Sequence, residues 1–138
     1  MNKLKVRQAL LTVLGLVLLS FAGFNFLDPT GGAEAAGLQF ASLAGLNEYR
    51  AVFSGMFGGL AVGAFLAARN PENVLLGDAI ALAVLGEAIA RTSSIAIDGY
   101  PGPTTLLLLA TEIAPLSVLL VRPTPALRER VPVGAAAA

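Results

Sequence analysis

Residues 10–27 read LLTVLGLVLLSFAGFNFL, an uncharged apolar run of 18 residues. A bilayer core takes about 20 mostly apolar residues per helix, so this run is long enough to cross one. Lys3, Lys5 and Arg7 precede it, and Asp28-Pro29 ends it. The same flanks suit a signal peptide, with Ala33-Glu34-Ala35 as a small-x-small cleavage site. Signal-peptide cores usually have about 7–15 apolar residues, however, so a retained transmembrane helix is expected.

Outward from that run, three further helices can be marked. The second spans Asn47 to Ala68 and stops at Arg69-Asn70-Pro71-Glu72. Asn70 as N-cap with Pro71 at the first helical position predicts an immediate start for the third, which runs to about Ile97. Asp98-Gly99-Tyr100-Pro101-Gly102-Pro103 is a turn by composition, and the fourth helix covers Thr104 to Val121, before Arg122-Pro123. Gly31 to Leu46 is too weakly apolar to span and predicts a short interfacial helix between the first and second. The expected architecture is an all-α, integral membrane four-helix bundle with short loops over residues 1–122. Residues 123–138, with Arg128, Glu129 and Arg130, form a flexible cytoplasmic tail.

Composition agrees, since 56% of the 138 residues are hydrophobic, 13% are charged and the mean hydropathy is +0.77. Net charge is zero, so no basic surface exists for nucleic acid. The absence of Cys excludes disulfides and thiolate chemistry, and the absence of His removes the usual ligand of haem, iron, copper and catalytic zinc. Neither a metal nor another cofactor is expected. Lys3, Lys5, Arg7, Arg69, Arg122, Arg128 and Arg130 fall on one side of a four-span chain, with Asp28, Glu34 and Asp98 on the other. The positive-inside rule then makes both termini cytoplasmic.

Two patterns lie within the helices. Gly55, Gly59 and Gly63 repeat at four-residue spacing, extended by Ala51 and Ala67 and answered on the third helix by Gly86, Ala90 and Ser94. Small residues on one stripe let helix backbones approach closely in lipid; the stripe is expected to pack within the chain, a homodimer contact being the alternative. Glu87, Arg91, Ser94 and Asp98 form a polar stripe at i, i+4, i+7 and i+11 of the third helix. At ~1.5 Å per residue from the outer turn, Arg91 lies ~10 Å deep, Glu87 ~16 Å and Glu112 of the fourth helix ~13 Å, with Arg50 above them. Leaving Arg50, Glu87, Arg91 and Glu112 in lipid would cost on the order of 10–14 kcal/mol. They are expected to face one another as a neutral cluster, with Arg91 paired to Glu112. Such a cluster can fix helix register or line a polar pocket open to the outside, and both readings stand. Pro115 removes the hydrogen bond to the Thr111 carbonyl and predicts a kink beside Glu112. Asp78 is expected to be solvated or at the interface.

The run Asn47-Glu48-Tyr49-Arg50-Ala51-Val52-Phe53-Ser54-Gly55, followed by Glu87-x-x-x-Arg91-Thr92-Ser93-Ser94 and Asp98-Gly99, resembles a bacterial membrane-protein family, domain of unknown function 4345. That family opens its second helix with Asn-Glu-x-Arg-Ala-x-aromatic-Gly-Gly and closes its third with Arg-x-x-Ser and Asp-Gly; Ser54 replaces the first Gly. The likeness covers residues 8 to 121. It implies a four-helix fold in a bacterial inner membrane, no established activity, and a shared polar set of Glu48, Arg50, Arg91, Ser94 and Asp98.

Function divides three ways. Small size and short loops favour a non-catalytic accessory or structural subunit of a membrane complex, with the bilayer and other subunits as partners. The alternative is a small-molecule or lipid binder or carrier using the outward polar pocket. An enzyme ranks last, because no nucleophile or cofactor motif accompanies Glu87 and Glu112.

Overall fold

The computed structural model describes residues 2–100 and 102–123, so almost all of the expected tail, including Arg128, Glu129 and Arg130, lies outside the described residues. Helix α1 spans Lys3–Leu27 and begins well before the apolar run, because Asn2 caps it by accepting from the Leu4 N–H at 3.0 Å. Asp28 leaves helical geometry and accepts from Gly31 N–H at 2.9 Å, starting the short α2, Pro29–Ala35, with proline at its first position. Helix α2 overlaps only the first residues of the 31–46 segment, and the chain is irregular from there to Ser42.

Ser42 caps α3, Leu43–Arg50, which passes through a π-helical stretch, Ala51–Met56, into α4, Phe57–Arg69. The second long helix therefore starts at Leu43 instead of Asn47. Asn70 does not start the next helix. Its N–H is used in closing α4 on Ala67 and its carbonyl accepts from Asn73, so α5, Val74–Asp98, begins only after Asn73. Gly99 and Gly102 take positive φ, 94° and 127°, around the turn into α6, Pro103–Ile113. The expected fourth helix is divided. Pro115 has no N–H to donate, and Ser117 and Val118 donate three residues back, to Ala114 and Pro115, as α7, Leu116–Leu120, begins.

Helix α1 packs on α4, α4 on α5, α5 on both α6 and α7, and α7 returns to α1. On α1 the buried residues Leu11, Leu14, Leu18 and Ala22 recur at helical spacing, and Phe57, Ala61, Ala64 and Ala68 do the same on α4. The alanines allow close approach, and Ile80 and Val84 of α5 extend the same core. Lys3–Leu27, Leu43–Arg69 and Pro103–Leu120 are long and apolar enough to cross a membrane. Helix α5 is as long as α1, but carries Asp78, Glu87, Arg91 and Asp98.

The glycine stripe is mostly not a packing face within this chain. Among the described residues a Cβ at Gly55, Gly59 or Gly86 would meet nothing within 4 Å, and Ala90 is exposed; Gly63 meets Ile80 of α5. Gly55 and Gly59 stand two residues, about 200° of helix rotation, from Phe57 and Ala61, the residues that α4 turns inward.

Candidate functional site

Pro115 divides the last described helix. The break there leaves α7 against α1 while α6 follows α5, and a cavity of about 280 Å³ lies between α1, α2, α3 with its π-helical extension, α5 and α6. Its apolar wall is aromatic. Tyr49 stacks on Phe53 with ring centroids 4.4 Å apart, and Phe21 meets Phe57 edge-on at 5.0 Å. Tyr49 donates its hydroxyl to Asn25 Oδ1 at 2.5 Å, and Asn25 donates to the Phe21 carbonyl at 2.8 Å. Helix α2 lies over this pair because Gly32 has no Cβ; one would collide with Asn25 Oδ1 and the Tyr49 hydroxyl.

The polar end belongs to α5 and α6. Arg91 Nε lies 3.0 and 2.8 Å from the two carboxylate oxygens of Glu112, and its Nη2 lies 2.5 Å from Oε1. Glu112 is buried and Arg91 partly so. Glu87, one turn before Arg91, lines the same cavity and has no hydrogen bond or ion pair among the described residues.

Other members of the expected cluster are elsewhere. Ser94 donates to Asp98 at 3.1 Å, both exposed, and neither lines the cavity. Glu48 is exposed. Arg50 lies on another face, its guanidinium carbon 6.0 Å from the Phe26 ring centre, in a separate groove with Leu19, Asn47 and Ser54. Its Nε and the Ser54 Oγ are buried without hydrogen-bond partners among the described residues. The neutral cluster of four is therefore corrected to three groups, Glu87, Arg91 and Glu112, with a formal charge of minus one. The cause is local: Tyr49 takes the inward direction on α3, and Arg50 follows 100° round the helix.

A second polar centre is absent from the expectations above. Arg7 is wholly buried; Nη1 donates to the Val118 carbonyl at 2.6 Å, and Nη2 to the Val74 carbonyl at 3.1 Å and Asp78 Oδ1 at 2.7 Å. The other Asp78 oxygen meets Arg122 at 2.6 Å. Asp78 is thus buried and doubly paired, not solvated, because the arginines from both ends of the described chain converge on it. One signal for this exists in the sequence: Arg7, Leu11 and Leu14 share one helical stripe. No group of three or more His, Cys, Asp or Glu among the described residues can hold a metal.

A family model described as Domain of unknown function (DUF4345) matches residues 6–121. No curated protein and no solved structure matches significantly.

Proposed function

Because the chain belongs to the DUF4345 family, whose description carries no activity, we propose from the site itself that it is a multi-pass membrane protein that binds a small amphiphile beside Arg91 and Glu112. The observation that carries this reading is the cavity of about 280 Å³, aromatic along one wall and charged at one end. Single-component apolar packing has no need of such an opening.

The reading includes four spans, with α5 the fourth. At ~1.5 Å per residue its 25 residues reach ~37 Å, more than a hydrocarbon core of about 30 Å. Asp78 is paired, and Glu87 and Arg91 turn to the cavity, which removes the main cost of immersing it. Both termini are cytoplasmic, in the inner membrane of a bacterium, and α2 lies at the outer interface. The meeting of Arg7 with Arg122 at Asp78 supports termini on one side. A reporter active only outside the cytoplasm, fused after Ala138, is expected to stay silent; activity there would overturn this topology.

Binding is tested by native mass spectrometry of the chain released from membranes in mild detergent. A small molecule retained by the unaltered chain and lost from Leu108→Trp, which fills the cavity from α6, is the expected result. Equal retention by both would move the ligand outside the cavity. A second reading, a non-catalytic accessory subunit of a membrane complex, is favoured by the open small-residue face at Gly55 and Gly59. A stoichiometric protein partner lost from Gly59→Leu would establish it. Neither reading involves catalysis.

A further inference from the structure

We propose that the cavity takes a lipophilic monocation, a single-chain or single-ring amphiphile with an ammonium head, and that Glu87 receives the charge. The inference rests on the cavity-binding reading and adds the ligand's chemical class. Its origin is the position of Arg50. Four charges, two of each sign, would have closed on themselves; with Arg50 in a separate groove, the cavity holds Glu87, Arg91 and Glu112. Arg91 is committed to Glu112 through both carboxylate oxygens. Glu87 faces the same space with no partner among the described residues, so the site is one positive charge short.

The alternatives fit less well. An anionic head would meet two carboxylates against one guanidinium that is already paired, and in a low-dielectric site like charges repel strongly. A neutral hydroxyl supplies one hydrogen bond and leaves the Glu87 charge uncompensated. An ammonium brings three donors and the missing charge, giving charge-assisted hydrogen bonds to a carboxylate that can accept them. The remaining walls suit the rest of such a molecule, since Phe21, Tyr49, Phe53 and Phe57 offer ring faces and edges to an aliphatic or aromatic body. The volume, about 280 Å³, lies at the small end of ligand pockets, which excludes a two-chain lipid in full.

The test uses the full chain in phosphatidylcholine nanodiscs. The sequence has no Trp, so Phe24→Trp at the cavity rim gives a single fluorescent reporter. Octylamine, octanol and octanoate are titrated, with empty nanodiscs subtracting partition into lipid. Octylamine is expected to saturate at about tenfold lower concentration than octanol, with octanoate weakest, and Glu87→Gln in the same background to bring amine and alcohol within about threefold of each other. The thermal shift of the chain without the reporter, with the same three probes, should give the same order. Octanol or octanoate saturating at or below the octylamine concentration overturns the cation assignment while leaving the cavity-binding reading in place. Saturation by none of the three overturns both. An amine preference that survives Glu87→Gln overturns the role given to Glu87.

Discussion

Arg7 and Asp78, 71 positions apart, meet at 2.7 Å with the arginine wholly buried, so α1 and α5 are joined near their N-terminal ends by a charge pair. Two backbone carbonyls, of Val74 and Val118, accept from the same guanidinium and bring α7 into the joint. Desolvating an arginine costs several kcal/mol, and the pairing offsets it only while Asp78 is present.

Asp78→Leu is therefore expected to cost ~3–5 kcal/mol, because it strands Arg7 in the interior. Arg122→Gln removes the other, exposed partner of Asp78 and should cost under about 1 kcal/mol. Unfolding of the purified chain in detergent measures both. Similar losses from the two variants would show that Asp78 is held as a surface pair and that Arg7 contributes little.

Legibility followed the strength of each local signal. The uncharged run at residues 10–27 and the helix-breaking chemistry at Asp28-Pro29 and Pro115 act on their own backbone, so sequence places the end of α1 and the division between α6 and α7 closely. Asn70 misleads because two asparagines compete for one cap, and the carbonyl and N–H of a turn decide between them. The pairing of Arg91 with Glu112 follows from depth, which run length supplies. Which face α4 buries does not, since Gly55 and Gly59 and the buried Ala61 and Ala64 are both small-residue patterns, and only the partner's shape selects one. For Arg7 the stripe it shares with Leu11 and Leu14 hints at an inward direction, but its burial depends on Gly77, far along the chain.

Gly77 faces the buried Arg7 and Leu11 and leaves no room for a side chain. A Cβ there would stand 2.8 Å from Arg7 Nη2 and within 3.3 Å of Leu11. Gly77→Leu should destabilise the monomer by at least ~1–3 kcal/mol through overpacking, whereas Gly59→Leu, pointing into open space, should stay within about 1 kcal/mol of the parent. The check is denaturant unfolding of both variants side by side. A larger loss at Gly59 than at Gly77 would mean that a neighbour covers Gly59 in the folded monomer.

Tyr49→Phe removes a donor from the buried Asn25 carbonyl oxygen while keeping the stack on Phe53. An unsatisfied buried acceptor costs ~1–3 kcal/mol, and the loss should fall on α2, which lies against that pair through Gly32. Hydrogen exchange is expected to quicken at Gly32 and Ala33 more than in α4. Uniform acceleration across α1, α2 and α4 would instead show that the bond supports the whole core.

The pair at the polar end of the cavity gives the most discriminating measurement. Arg91 grips both oxygens of Glu112 from the neighbouring helix, a two-point geometry that fixes the relative height of α5 and α6 as well as their attraction. Arg91→Met leaves Glu87 and Glu112 facing one cavity with no cation, and Glu112→Leu leaves Arg91 with Glu87 alone. The two single variants should therefore differ: the first concentrates negative charge and should cost ~3–5 kcal/mol, while the second should cost less, because Glu87 is near enough to take over part of the pairing. The double variant should cost less than the sum of the two, with a coupling on the order of 1–3 kcal/mol in detergent unfolding. Adding Glu87→Gln to Arg91→Met should recover part of that loss, since it removes the repulsion without restoring the pair. Additive single losses, with no recovery from Glu87→Gln, would mean that the three groups do not share one electrostatic environment, and the charge deficit assigned to the cavity would go with it.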